Sequence, residues 1–249
     1  MKTEQLDIGL SLLFSVGERP SVADIVRMLS SPELAGPAAS IVHRPPADEG
    51  WLELLASGLT FDIVGLAPSP AMPLIAGASF HGLPADVQAF ALEPVMLKPA
   101  PHLAGGGAML PVVRVMTSLA ASLALHLPAK AVCWQPARSW MDPSYFARAM
   151  VGWLSGGPFP ALGLTAVEWT PEGAVQTRGL RFFTGQELLL DGRPGEDRAD
   201  TIRIAARVID YLVRKGAIAS LEELEGPARE RLFAEPSADG QLVRVWRGR

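Results

Sequence analysis

The feature that most constrains the fold is a long apolar segment, AMLPVVRVMTSLAASLALHL, at residues 108–127. Its apolar side chains would fall on nearly every side of a helix, so such a helix must be covered all round. Pro111 and Arg114 interrupt the segment, and threonine and serine dilute it, which is unusual for a helix that spans a membrane. The segment therefore predicts a buried central helix, and no membrane partner is expected.

The composition agrees with a chain that buries a large apolar surface. Hydrophobic residues make up 49% of the 249 residues and charged residues 19%, so either the core is large or part of the surface is buried against a partner. The net charge is −4 without a run of lysine or arginine, which argues against nucleic-acid binding. The single cysteine, Cys133, excludes an intramolecular disulfide and a multi-cysteine metal site, and it fits a reducing cytoplasm.

Predicted strands and helices alternate along the first part of the chain, and a run of consecutive strands follows. That order predicts an α+β fold with a mixed or mostly antiparallel sheet packed against helices. The segment 67–83, rich in Pro, Gly and Ala, indicates a boundary between an N-terminal half, 1–83, and a C-terminal half, 84–249. Two diverged βαβ-type halves and one compact domain are both compatible with this order.

Local signals place several helices and strands. Ser21 and Asp24 form a capping-box pattern before one apolar helix face, and Asp142 with Pro143 marks another helix start. Helices are expected over 48–58, 197–215 and 220–232. Strands are expected over 6–16, 40–43, 59–66, 91–99, 130–136, 162–170, 174–183 and 186–190, and at the last apolar stretch, QLVRVWRG.

Residues 171–173, Pro-Glu-Gly, form a three-residue hairpin loop with glycine at the position that requires a positive φ. The register that follows from this loop sets Trp169 opposite Val175. It also makes Arg178 the diagonal neighbour of Glu168 on the same face. The charges of this region are therefore expected to pair across strands of a partly exposed sheet.

The next turn decides the role of Glu187. A three-residue loop, 184–186, makes one face of the sheet continuously apolar, whereas a two-residue loop splits that face. The longer loop is favoured, since a slip of one residue moves every side chain to the other face. It places Glu187 opposite Phe183 and diagonal to Arg181. The alternative is that Glu187 is the carboxylate of a functional site.

The segment TRGLRFFTGQELLL, residues 177–190, resembles the C-terminal signature of an uncharacterised bacterial family, domain of unknown function 4261. In that family a Thr-x-Gly-Leu strand is followed by Phe-Gly and then by a Glu-Leu-Glu strand. The matching residues are Thr177, Gly179, Leu180, Phe183, Glu187 and Leu188, whereas Thr184 and Leu189 depart from the pattern. The strand with His102, the alanine-rich helix and KAVCWQPARSWMDPSYF also fit, so the resemblance covers roughly residues 90–220. It implies a bacterial family without an established activity, and Leu189 argues against a carboxylate pair.

Signals for chemistry elsewhere are sparse. The four histidines lie far apart without an HxH or HxxxH pair, so no metal site is expected. Cys133 lies in the apolar run AVCW, which favours an inert core thiol, whereas a Cys133–His102 pair is possible only if their strands adjoin. Gly105 to Gly107 precede the buried helix, where they would either hold an anion or act as a flexible joint. Asp62 would be costly to bury without a hydrogen-bond donor, but it fits an exposed face as well.

Two functions from different classes follow. No catalytic motif is found and six tryptophans suit an interface, which favours a non-enzymatic cytoplasmic bacterial protein acting through a protein partner or through self-association as a homodimer. The alternative is a protein or enzyme that binds a small anionic metabolite in a pocket near residues 102–140. No metal or cofactor is expected in either case. The candidate ligand-binding residues are His102, Gly106, Gly107, Trp134, Arg138, Trp140, Arg178 and Glu187.

Overall fold

The computed structural model describes residues 9–30, 38–84, 87, 91–193 and 195–248. The chain has an α+β fold with about 33% helix and 31% strand, which confirms the predicted fold class. It divides into two compact units, Met1–Gly157 and Pro158–Arg249, which we call unit 1 and unit 2. The observed division thus lies after Gly157, whereas the sequence placed a boundary at 67–83. Strands from both sides of that segment pair within one sheet of unit 1.

The described part of unit 1 contains one sheet and three α-helices. Its strands are β1 Leu10–Ser15, β2 Ala39–His43, β3 Trp51–Ala56, β4 Leu59–Val64, β5 Ser79–His81, β6 Leu92–Pro99, β7 Ala131–Trp134 and β8 Ser139–Met141. Its helices are α1 Val22–Leu29, α2 Leu110–His126 and α3 Pro143–Leu154.

The strands of unit 1 form an eight-stranded sheet in the order β2-β3-β4-β6-β1-β7-β8-β5. All neighbours are antiparallel except β5 and β8, which run parallel. Helix α2 contacts β1, β4 and β6, and α3 contacts β7. Because side chains alternate across a strand, the fully buried apolar residues of neighbouring strands share one face, which we call the helix face. They include Leu10, Leu12, Phe14, Leu52, Leu54, Phe61, Ile63, Leu97 and Trp134.

The opposite face of this sheet is buried over β1, β7 and β8 but less so over β3 and β4. Leu13, Cys133 and Trp140 pack with Val87 and Leu92 in one buried cluster. The remaining part of the face alternates between polar and apolar side chains, most of them half-buried, and we call it the open strip. Its residues are Trp51, Glu53, Leu55, Thr60, Asp62, Val64, Met96 and Lys98.

Helix α2 confirms the predicted buried central helix. Its buried residues lie on most sides of the helix and include Val112, Val113, Met116, Leu119, Ala120 and Leu123. Its one strongly charged side chain, Arg114, donates hydrogen bonds to the carbonyl oxygens of Trp153 and Leu154, at 3.4 and 3.2 Å. The Arg114 cation is favourable there because the last carbonyl groups of α3 form the negative end of the dipole of that helix. Among the described residues, no helix has the length and apolarity required to cross a bilayer.

Both predicted helix caps are confirmed. The Ser21 hydroxyl accepts from the backbone N–H of Asp24, and the Asp24 carboxylate accepts from the backbone N–H of Ser21, at 3.3 and 2.9 Å. The Asp142 carboxylate accepts from the backbone N–H of Tyr145 at 2.9 Å. These caps depend on groups within one helical turn, so the local sequence is enough to define them.

The predicted helix over 48–58 is wrong. A short 3₁₀ turn, Ala47–Glu49, leads into β3, and a hairpin follows at Ser57 and Gly58, whose φ angles are 52° and 78°. Two consecutive positive φ values are the signature of a tight hairpin turn. In WLELLASG the apolar residues suit a helix face, but the hydrogen bonds that β2 and β4 offer on both sides select the strand.

The described part of unit 2 contains a second sheet and three α-helices. Its helices are α4 Ala161–Leu164, α5 Arg181–Thr184 and α6 Arg198–Lys215. Its strands are β9 Ala166–Trp169, β10 Val175–Arg178, β11 Glu187–Leu190, β12 Glu222–Glu225, β13 Arg231–Pro236 and β14 Leu242–Arg247. The strand order is β12-β13-β14-β11-β10-β9, with only β11 and β14 parallel.

The hairpin of β9 and β10 has the predicted register, with Trp169 opposite Val175. The Arg178 guanidinium donates to both carboxylate oxygens of Glu168, at 3.0 and 3.3 Å, as expected for diagonal neighbours. The predicted helix over 220–232 is wrong, because β12 and β13 form a hairpin there with Leu224 opposite Leu232. Neither parallel pair joins consecutive strands, so the described residues contain no βαβ unit.

Candidate functional site

Glu187 does not lie opposite Phe183 or pair with Arg181 as predicted. Residues 181–184 form helix α5 instead of a strand, so β10 pairs with β11 in a different register, with Val175 opposite Leu190. Residues 179–186, which include this helical turn, connect the two strands in place of the predicted three-residue loop at 184–186. The Glu187 carboxylate points at this turn.

Four donors converge on the Glu187 carboxylate. Oε1 accepts from the backbone N–H groups of Gly179 and Arg181, at 2.8 and 3.2 Å. Oε2 accepts from the Thr177 hydroxyl and from the backbone N–H of Leu180, at 2.6 and 3.2 Å. Gly179 has φ +88° and Leu180 is right-handed helical, a combination that points successive N–H groups at one anion. The side chain therefore fills an anion-binding turn of its own chain.

Burial raises the pKa of the Glu187 carboxyl above its ordinary value, and the four hydrogen bonds to its oxygens oppose that shift. A carboxylate that satisfies three backbone donors has little capacity left for a ligand. Four of the six residues that match the family signature, Thr177, Gly179, Leu180 and Glu187, are members of this closed turn. Their spacing is accounted for by local structure.

Gln186 and Thr184 also stabilise this turn, and no pattern in the sequence predicted either role. The Gln186 side-chain amide donates to the carbonyl oxygens of Ile218 and Gly240, and its oxygen accepts from the backbone N–H of Ile218, at 3.0, 3.3 and 2.8 Å. The Thr184 hydroxyl donates to the Leu180 carbonyl oxygen at 3.2 Å. These contacts tie α5 to segments of unit 2 that are distant in the chain.

The candidates from residues 102–140 do not converge. His102 bonds through Nε2 to the Thr60 hydroxyl at 2.9 Å, on the β4 side of the sheet. Trp134 and Trp140 are core residues with 0% and 5% of their surface exposed. Arg138 occupies the turn between β7 and β8 with φ 51°.

The glycine segment does not open a helix directly. A 3₁₀ turn, Pro101–Gly106, is followed by Gly107 and Ala108 before the N-cap of α2 at Met109. Gly106 and Gly107 therefore belong to a joint between β6 and α2, which is the second of the two roles expected for them.

Cys133 and His102 cannot form the catalytic pair that adjoining strands would allow. Thr60, which holds His102, is on β4, whereas Cys133 is on β7, and β6 and β1 lie between these strands. Burial raises the pKa of the Cys133 thiol to about 12. A thiol with that pKa is protonated at neutral pH and is a poor nucleophile.

The open strip holds a row of titratable side chains that the sequence did not bring together. Strand pairing sets Glu53 opposite Asp62 and Asp62 opposite Lys98, so the three side chains lie on one face in the order acid, acid, base. Trp51, Leu55, Val64 and Met96 are half-buried around the row. The strip therefore combines a charged centre with an apolar surround.

Asp62 is the unusual member of this row. It is only 7% exposed, and it forms no hydrogen bond or ion pair with the residues that the structure describes. Burial raises its pKa, Glu53 raises it further, and Lys98 and His102 lower it by their charges. Burying a carboxylate without partners costs folding free energy, so Asp62 is the strongest candidate for a residue that serves binding.

The described residues contain no group of three or more His, Cys, Asp or Glu side chains that could hold a metal ion. The chain was compared with family models, curated proteins and solved structures, and nothing matched. Membership of domain of unknown function 4261 accordingly stays a prediction.

A second group of buried polar atoms lies on the helix face at the β5–β8 edge. The hydroxyls of Ser79 and Ser139 and Nε2 of His81 are buried without a hydrogen-bond partner among the described residues. The His81 ring stacks on Tyr145 with centroids 5.8 Å apart. Burial lowers the pKa of the His81 imidazole below its ordinary value of 6.5.

His81 should make unit 1 sensitive to acid. The unfolded chain binds the imidazole proton more readily than the folded chain, so the free energy of unfolding is highest above about pH 6.5 and falls as the pH drops below that value. We expect His81→Gln to lose less stability than the wild type between about pH 7.5 and pH 5.5. Urea unfolding at both pH values measures this, with the exposed His43→Gln as control. Equal losses in the wild type and His81→Gln would contradict the assignment.

Proposed function

We propose that this chain is a non-enzymatic bacterial binding protein of the cytoplasm, and that the open strip of unit 1 is its contact surface for a partner protein. The single observation that carries the proposal is Asp62, which is only 7% exposed and whose carboxyl has no hydrogen-bond or ion-pair partner among the described residues. The lone buried cysteine and the resemblance to a bacterial family support the cellular setting.

The strip has the chemistry of a protein interface. Interface centres favour aromatic residues and methionine, and here Trp51 and Met96 flank the acidic row. Two neighbouring carboxyls, Glu53 and Asp62, outnumber the one base, Lys98, in that row. The partner therefore presents a lysine or arginine between apolar side chains, and its cation forms the direct ion pair that Asp62 does not form with Lys98 in the free protein.

The protonation state of Asp62 makes binding of the partner protein depend on pH. A bound cation stabilises the carboxylate form, so binding releases a proton from Asp62 when the pH is near its raised pKa. Affinity for the partner should therefore weaken as the pH falls through that pKa. A contact without an ionised Asp62 would lack this dependence.

Asp62→Asn should stabilise the free protein and weaken binding at the same time. The change removes a buried charge without partners, so we expect the free energy of unfolding at neutral pH to rise by about 1 kcal/mol. A residue kept for structural reasons would show the opposite sign. Urea unfolding measures the change, and Asp48→Asn, at an exposed position of the same unit, is the matched control.

Binding itself is tested with a displayed library of short random peptides. Peptides selected on the wild type should be enriched in lysine or arginine next to apolar residues, and should lose at least about tenfold in affinity for Asp62→Asn but not for Asp48→Asn. Selection of peptides without a basic residue would overturn the proposal. Equal affinity of the selected peptides for the wild type, Asp62→Asn and Asp48→Asn would overturn it as well. Light scattering then tells whether a second copy of the chain is the natural partner.

A further inference from the structure

Unit 1 contains a cleft of about 600 Å³ that shares no residue with the open strip. It lies between the start of α1 and the end of α2, and its volume is in the range of small-molecule sites. Its apolar lining consists of Pro20, Met28, Leu127 and Pro128, and its polar lining of Glu18, Arg19, Asp24, Arg27 and His126.

The basic side chains of the cleft already have acceptors. Arg19 donates from Nε to the Glu93 carboxylate at 2.9 Å, and from its two terminal nitrogens to the carbonyl oxygens of Gly65 and Ser69 at 2.6 and 2.8 Å. Arg27 pairs with Asp24 at 3.1 Å, and Asp24 also closes the capping box of α1. Arg19 therefore offers a ligand little unsatisfied positive charge, and Asp24 partly offsets the charge of the exposed Arg27.

The groups that keep free capacity are acceptors. Glu18 is exposed and forms no ion pair or side-chain hydrogen bond within the described ranges. Nδ1 of His126 lies 2.8 Å from the Ser122 carbonyl oxygen, and since a carbonyl only accepts, Nδ1 carries the proton. In this tautomer Nε2 is an acceptor. A carboxylate and an imidazole nitrogen thus border an apolar lining.

We propose that this cleft binds a small primary amine with an apolar body. The ammonium group donates to Glu18 and to Nε2 of His126, and the body packs on Met28 and Leu127. An anionic ligand of the same size is disfavoured, because the donors of Arg19 are occupied and the carboxylates of Glu18 and Asp24 repel it. The ligand class therefore differs from the anionic metabolite expected from the sequence.

The test compares two ligands of the same shape and opposite charge, 2-phenylethylamine and phenylacetate. Thermal unfolding and isothermal titration of the full chain should show stabilisation by the amine and none by the carboxylate. Glu18→Gln should weaken the amine at least about tenfold, since it removes a charge-assisted hydrogen bond. Glu172→Gln, in an exposed turn of unit 2, should bind as the wild type does.

Equal binding of the two ligands, absence of amine binding, or full affinity in Glu18→Gln would each overturn the cleft assignment. Asp62→Asn should leave amine affinity unchanged. The experiments therefore test the amine-binding cleft separately from the protein-binding open strip.

Discussion

Replacing Glu187 by alanine should lower the free energy of unfolding of unit 2 by about 3 kcal/mol or more. The change leaves the backbone N–H groups of Gly179, Leu180 and Arg181 and the Thr177 hydroxyl without their acceptor. Three of these hydrogen bonds are part-buried and the one from Arg181 is exposed, and a donor shielded from water costs more without an acceptor than its hydrogen bond contributes. The loss should appear as faster hydrogen exchange in peptides from residues 158–249.

Three further variants separate this role from a general effect of losing an acid. Glu187→Gln keeps one carbonyl oxygen but places an amide donor against the N–H groups, so we expect a loss nearly as large. Glu172→Ala, at an exposed turn, should change stability by less than about 0.5 kcal/mol. Thr177→Val should couple with Glu187→Ala, the double variant losing less than the sum. A stable Glu187→Ala with altered ligand binding would instead show that Glu187 belongs to a functional site.

Cys133 in the folded protein should resist thiol reagents almost completely at neutral pH. A pKa of about 12 lowers the thiolate fraction roughly a thousandfold below that of a free cysteine. Its side chain is also only 1% exposed. Labelling with a disulfide reagent should therefore follow unfolding, and the labelled fraction should rise with urea along the unfolding curve.

The control for this experiment carries an exposed thiol. Ser155→Cys in a Cys133→Ser background places one cysteine at the exposed C-cap of α3, and it should react within the mixing time of a bench assay. Rapid labelling of native Cys133 would contradict the buried, protonated state and would reopen a nucleophilic role.

The elements that the sequence predicted correctly depend on neighbours in the chain. The Ser21 cap, the Asp142 cap, the glycine at the 171–173 turn and the stop of α6 at Gly216 are each decided within a few residues. The two false helices, 48–58 and 220–232, fail for the opposite reason. Their apolar residues fit either structure, and strands contributed by distant parts of the chain decide the outcome.

The candidate site was accessible to sequence reasoning only in part. Asp62 could be noted as an acid in an apolar strand, but Glu53 and Lys98 flank it only because β3, β4 and β6 are neighbours in the sheet. This strand order results from pairing between strands that lie far apart in the sequence. The prediction for Glu187 was wrong for a similar reason. Its three backbone donors converge only when residues 181–184 form a helical turn.

The position of β14 in unit 2 has a consequence for synthesis of the chain. Residues 242–247 form an inner strand that joins β13 to β11, so the sheet stays in two pieces until they have left the ribosome. The strands of unit 1 are complete by Met141, and that unit can fold while translation continues. A ribosome that stalls after β11 has emerged but before β14 would leave the β11 edge unpaired, and an unpaired strand edge favours aggregation.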